Sequence, residues 1–116
     1  MKGKRFLCLV GLAAAIALSA GAQQGGYRGP GAAPVTVAEA KALRDDSPVI
    51  LRGKIERFLG DERYLFSDAT GTITIEIDHK VWGGLSVDQN DTVELTGEID
   101  RDYMTVEVEV RTLRKI

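Results

Sequence analysis

Thr72-Ile73-Thr74-Ile75-Glu76-Ile77-Asp78 alternates polar and apolar residues without a break. A period of two belongs to a half-buried strand, with Ile73, Ile75 and Ile77 inward and Thr72, Thr74, Glu76 and Asp78 outward. The same alternation recurs on both sides. Upstream, Arg63 to Asp68 reaches this stretch through Asp68-Ala69-Thr70-Gly71, a tight hairpin in which Gly71 is free to take positive φ and Asp68 can hold turn amides. Before it, Val49 to Phe58 sets Val49, Leu51, Gly53 and Ile55 against Arg52, Lys54 and Glu56, and Gly60-Asp61-Glu62 makes the turn between them. Gly53 allows the tight coiling that barrel closure requires, or a bulge. Downstream, Asp91 opens a fourth stretch in which Val93, Leu95, Gly97 and Ile99 alternate with Thr92, Glu94, Thr96 and Glu98. Asp100-Arg101-Asp102 forms the next turn. A fifth stretch, Met104 to Val110, buries Val106, Val108 and Val110 and exposes Thr105, Glu107 and Glu109.

Between these stretches only Lys80 to Asn90 has room for a helix, and Gly83-Gly84 keeps any helix there short or broken. Three strands, a short helical connector and two more strands is the order of a five-stranded OB-fold Greek-key barrel, an all-β architecture. Trp82 is positioned to plug the barrel's open bottom. His79 falls at the end of the third strand, half exposed. Ahead of the first strand, Thr36 caps a short helix over Val37 to Leu43, with Glu39 as its capping-box partner. Val37, Ala40 and Leu43 share the face that flanks or plugs the barrel.

The first residues have a different character. Lys2, Lys4 and Arg5 precede an apolar run from Phe6 to Leu18, and Ser19-Ala20-Gly21-Ala22 supplies small residues for a cut before Gln23. That is the pattern of a cleavable secretory signal peptide over residues 1–22, and it predicts a periplasmic protein with no stable membrane insertion after cleavage. Residues 23–35, rich in Gly, Gln, Ala and Pro, read as a disordered tether, and 36–116 as the barrel domain. Cleavage leaves 94 of the 116 residues and removes the only cysteine, Cys8. The chain's formal charge is −2, and losing Lys2, Lys4 and Arg5 takes away three positive charges, giving −5. Nucleic acid is excluded as a partner on this basis, because phosphates need a basic surface.

With these residues in view, the chain resembles the bacterial OB-fold stress-tolerance family of small periplasmic proteins, the YgiW/YdeI type. The carriers are the Thr36-Val-Ala-Glu-Ala40 helix start, Leu51-Arg-Gly-Lys-Ile55, Phe66-Ser-Asp-Ala-Thr-Gly71, Trp82-Gly-Gly84 and Asp91-Thr-Val-Glu-Leu-Thr-Gly-Glu-Ile-Asp100. Together they span about Val35 to Ile116. The resemblance implies an OB barrel, a periplasmic address and a part in tolerating envelope or chemical stress, with no enzymatic activity and no assigned catalytic or metal-binding residues.

The candidate ligand-binding residues are acidic: Asp61 and Glu62 in the first turn, Glu76 and Asp78 outward on the third strand, and Asp100 and Asp102 in the last turn. Because OB barrels bind ligands on strands two and three and on the loops beside them, all six carboxylates border one expected groove. A cationic small molecule or peptide fits that groove. The competing account is that exposed positions of an acidic protein are simply carboxylate-rich, and that the barrel docks on a protein or cell-wall component of the envelope. Arg52, Lys54 and Arg57, with Arg111, Arg114 and Lys115, form a basic region suited to cross-strand pairing. No cofactor is expected. Asp100 and Asp102 are too few ligands for calcium, and one histidine without cysteine does not make a zinc site. Tyr64 and Phe66 share parity and face inward, which leaves no aromatic platform on strand two. A monomer is expected.

Overall fold

The computed structural model describes residues 33–116. The expected signal peptide, residues 1–22, and most of the expected tether, residues 23–35, lie outside the described residues. Five strands, β1 (Pro48–Gly60), β2 (Arg63–Asp68), β3 (Gly71–Glu76), β4 (Val93–Arg101) and β5 (Val106–Lys115), close into a barrel in the order β1-β2-β3-β5-β4. All neighbours are antiparallel except β3 and β5, which pair in parallel over Thr74/Glu107, Ile75/Val108 and Glu76/Glu109. The alternation therefore reads correctly as an OB-fold barrel. Val49, Leu51, Ile55, Phe66, Ile73, Ile75, Ile77, Val93, Leu95, Ile99, Val108 and Val110 fill its interior.

β1 is long enough to serve two neighbours. It pairs with β4 from Pro48 to Gly53 and with β2 from Lys54 onward. Gly53 stands at the change of partner. A Cβ there would collide with the Ser67 carbonyl oxygen and crowd the Phe66 ring, so only glycine lets β2 come so close. The bulge lies further on. Ile55 pairs with Phe66 but Arg57 pairs with Leu65, so Glu56 is the extra residue. Beyond it the parity of β1 is reversed, and Phe58 lies opposite Tyr64.

Helix α1 (Val37–Ala40) is one turn, shorter than the expected run to Leu43. A four-residue helix cannot sustain itself, so its supports are external. The capping box is present in both directions: Glu39 N–H donates to Thr36 Oγ1 at 3.1 Å, and Thr36 N–H donates to Glu39 Oε1 at 2.9 Å. Val37 and Ala40 are fully buried, the first contributing about 1.5 kcal/mol on area grounds. Val37 N–H also donates to Asp68 Oδ2 at 2.9 Å, fastening α1 to the β2–β3 turn. Val35, placed in the tether by composition, bridges to Leu51 of β1.

Four other boundaries differ from the sequence expectation. The connector helix α2 (His79–Trp82) starts earlier, because Asp78 leaves the strand and caps it by accepting from Lys80 N–H at 2.8 Å. His79 is therefore the first residue of a helix and not a strand terminus. Gly83, at φ 52°, ends α2 in the left-handed conformation. β4 begins at Val93 rather than Asp91, and runs through Asp100 and Arg101, so the last turn is centred on Asp102 to Thr105. β5 continues to Lys115, well past Val110. Its second half is rich in cations, and these are paired: Arg114 and Arg52 both meet Glu94 at 2.8 Å, and Arg111 meets Glu98 at 2.9 Å.

Candidate ligand-binding site

The β1–β2 turn is two residues long, and both have positive φ, Asp61 at 53° and Glu62 at 64°. This is the mirror-image turn that suits the twist of a hairpin, built here without the usual glycine. It places Glu62 against the start of α2: Ile77 N–H donates to the Glu62 carbonyl at 2.9 Å, and His79 N–H lies 3.4 Å from Glu62 Oε2. Arg63 pairs with Glu76 across β2 and β3, and its Nη1 reaches the Asp61 carbonyl at 3.4 Å. Asp61, Glu62, Glu76 and Asp78 thus gather at one end of the β2–β3 hairpin.

Asp100 and Asp102 do not join them. Asp100 lies in β4 opposite Glu107. Asp102 closes its own loop, with Oδ1 accepting from Met104 N–H, Thr105 N–H and Thr105 Oγ1 at 2.9–3.0 Å. The amides of Met104 and Thr105, then the Thr105 hydroxyl, hold its carboxyl below the usual aspartate range. With Arg101 and Tyr103 it lines a separate surface hollow.

In their place the structure brings Glu109. An open groove of about 290 Å³ lies between the end of β3, α2 and β5, lined by Glu76, Asp78, Lys80, Val81, Glu109 and Arg111, with Val110. Glu109 belongs because β5 runs parallel to β3 and sets it opposite Glu76. The strand alternation alone carries no information on which strands pair in parallel. Among the described residues, no ion pair engages Glu62, Glu76, Asp78 or Lys80. Arg111 is shared between Glu98 and Glu109. Arg63 is committed to Glu107, with Nε 3.0 Å from Oε2. The hydrogen bond and then the charge of Glu107 raise the Arg63 pKa further, with smaller contributions from Glu76 and Asp61. Carboxylates outnumber cations at this end of the barrel.

A second hollow of about 220 Å³ shares a wall with the groove, the Glu76–Trp82 segment. It is lined by Phe58, Glu62, Tyr64, Ile77, His79 and Trp82. Tyr64 is half-buried rather than fully inward. Its ring stands 5.2 Å from Phe58 at 51° and 5.6 Å from Trp82 at 68°. Sequence reading missed this arrangement, because the bulge at Glu56 is what turns Phe58 toward Tyr64. No three His, Cys, Asp or Glu side chains among the described residues cluster closely enough to hold a metal ion.

The profile of the bacterial OB fold (BOF) protein matches residues 15–115. The chain belongs to the BOF family. Protein YgiW of Escherichia coli (strain K12) is 48% identical over 108 residues, covering 82% of this chain and 83% of that one. The calcium-regulated OB-fold protein CarO of Pseudomonas aeruginosa is 37% identical over 112 residues, covering 95% and 92%. The solved structure of the hypothetical protein ygiW from E. coli superposes with a TM-score of 0.73 at 49% identity, over 80% of this chain and 100% of that one. Neither relative's name is that of an enzyme. No helix among the described residues of this BOF protein is long and apolar enough to cross a membrane.

Proposed function

We propose that this BOF protein is an exported, periplasmic binding protein that supports tolerance of envelope or chemical stress by holding a cationic ligand, with no catalytic role. One observation carries the reading: Glu76, Asp78 and Glu109 line a single open groove, and Glu62 and Asp61 stand at the same end of the barrel. Glu109 has only a share of Arg111, and Glu76 and Asp78 have no ion-pair partner, so the carboxylates of the groove outweigh Lys80 and Arg111, attract cations at long range and select against anions. The same charge argues against nucleic acid. The site residues are Asp61, Glu62, Glu76 and Asp78 from the sequence-based set, with Glu109 added. Asp100 and Asp102 are excluded, since one lies across β5 and the other closes a loop.

Titration of spermidine by NMR tests the reading. Glu76→Gln/Asp78→Asn/Glu109→Gln is expected to weaken binding by about ten-fold or more at low salt, from the charge–charge terms lost. Asn retains the α2 cap, so the variant folds. Asp100→Asn/Asp102→Asn is expected to bind as the wild type does. Equal affinity in all three proteins would end the proposal.

A second reading has its own observation. Tyr103 and Met104, at the β4–β5 tip, are essentially fully exposed and could anchor an envelope partner. Retention of such a partner by wild type but not by Tyr103→Ser/Met104→Ser, with no spermidine binding, would favour it.

A further inference from the structure

Three of the five aromatic side chains in the described residues meet at one place, around the hollow lined by Phe58, Tyr64, Trp82, Ile77, Glu62 and His79. Two of the rings are half-buried, and Phe58 is 62% exposed, a large apolar side chain left facing water. Tyr64 stands between the other two, with its neighbours inclined at 51° and 68°. Inclined rings do not stack into a flat platform. They form a corner whose faces and edges point in different directions, and Glu62 supplies a carboxylate beside it.

We infer that this corner is a receptor for an alkylated organic cation, a quaternary or N-methylated ammonium group. This deepens the cationic-ligand reading above and rests on it. Aromatic faces carry negative charge density and attract a cation whose charge is spread over methyl groups, which is how aromatic cages select such ligands. A primary ammonium brings three N–H donors that each need an acceptor. Besides Glu62, its one carboxylate, the lining offers as acceptors only the Tyr64 hydroxyl and a ring nitrogen of His79, so three N–H donors are satisfied only if all of these converge on one point. A tetraalkylammonium has no donors to satisfy. The hollow's volume of about 220 Å³ is below the roughly 300–1,000 Å³ of pockets for drug-sized ligands, so it accepts a headgroup rather than a whole large molecule. Charge complementarity decides against a neutral occupant: Glu62 lines the hollow and Asp61 is next to it in the turn, while Arg63, the nearest guanidinium in sequence, is held by Glu107. The adjoining acidic groove then receives whatever polar or cationic extension the headgroup carries.

Trp82 is the only tryptophan of the chain, so its fluorescence reports this corner directly. The test titrates choline against 3,3-dimethylbutan-1-ol, which has the same shape without the charge. Choline is expected to change Trp82 emission saturably, and the neutral alcohol to act about ten-fold more weakly. Phe58→Leu keeps an apolar side chain at an exposed position, so the variant folds, yet it removes one ring. It is expected to weaken choline by about five-fold, as is Glu62→Gln. No saturable response to choline overturns the inference, and so does an equal response to the alcohol or an unchanged affinity in Phe58→Leu. Spermidine separates the two claims. If it binds at Glu76, Asp78 and Glu109 while choline leaves Trp82 unaffected, the aromatic corner falls and the acidic groove stands. If choline saturates and spermidine does not bind, the corner stands without the groove.

Discussion

Two helices of four residues each stand at opposite ends of the β2–β3 hairpin, and they treat the barrel differently. At the β2–β3 turn, α1 buries Val37 and Ala40 completely and is fastened by Asp68. At the other end, α2 buries no residue, and Tyr64, Trp82 and Phe58 remain in part open to water. The difference comes from the residues, not from helix length. α1 offers small apolar side chains that enter the core, whereas α2 leaves His79 and Lys80 in solvent and lays Val81 and Trp82, each half-buried, against the core's edge. One end of the barrel is closed for stability, and the other keeps a hollow, a groove and unpaired carboxylates.

The sharpest way to break this contrast is to compare substitutions at the two ends. Val37→Asp places a charge where nothing is exposed and is expected to cost more than about 3 kcal/mol, enough to unfold much of a domain this small. Phe58→Ala at the open end is expected to stay within about 0.5 kcal/mol. Urea unfolding of both proteins measures the gap, and comparable losses would mean that the open end is structural after all.

Asp68 gives a smaller effect with a pH signature. Burial pushes its carboxyl up, but the Thr70 hydroxyl and the amides of Val37, Thr70 and Gly71 prevail and hold it below the usual aspartate value. A carboxylate with a depressed folded-state pKa stabilises above its unfolded pKa, and that stability is lost as pH falls through the folded value. Asp68→Asn is expected to cost about 1–2 kcal/mol at neutral pH. The cost should shrink below about pH 4, where wild type loses the same interaction. A constant difference from pH 7 to pH 2 would contradict this account. Gly83→Ala comes last, at about 1 kcal/mol for a left-handed cap, and its hydrogen-exchange signature should stay within α2. If its effect spread to the β2–β3 ladder, α2 would be more integral to the barrel than its exposure implies.

The closed end was legible in the sequence and the open end only in part. Period-two alternation identifies every strand, because a half-buried strand leaves no other arrangement for Ile73, Ile75 and Ile77. The Thr36/Glu39 box marks α1 for the same local reason. The open end depends on relations that alternation does not encode. Glu109 joins Glu76 only because β3 and β5 run in parallel, and Asp102 leaves the group because it sits in the β4–β5 loop, whose amides claim its Oδ1. Asp78 looks like one more outward strand residue, yet its side chain caps a helix. Arg111 to Lys115 hides the second half of β5 because its charges are satisfied across strands rather than by a turn.

The bulge at Glu56 has one more consequence. Phe58 meets Tyr64 because β1 carries one residue more than its partner between Ile55 and Phe58. Were the bulge straightened with every residue kept, Arg57 would lie opposite Tyr64 and Phe58 would swing to the other side of its strand. The corner is written as a register. A relative that kept all three rings but paired β1 without the bulge would have the letters of the site without the site, whereas one that lost the extra residue altogether would again set Phe58 opposite Tyr64.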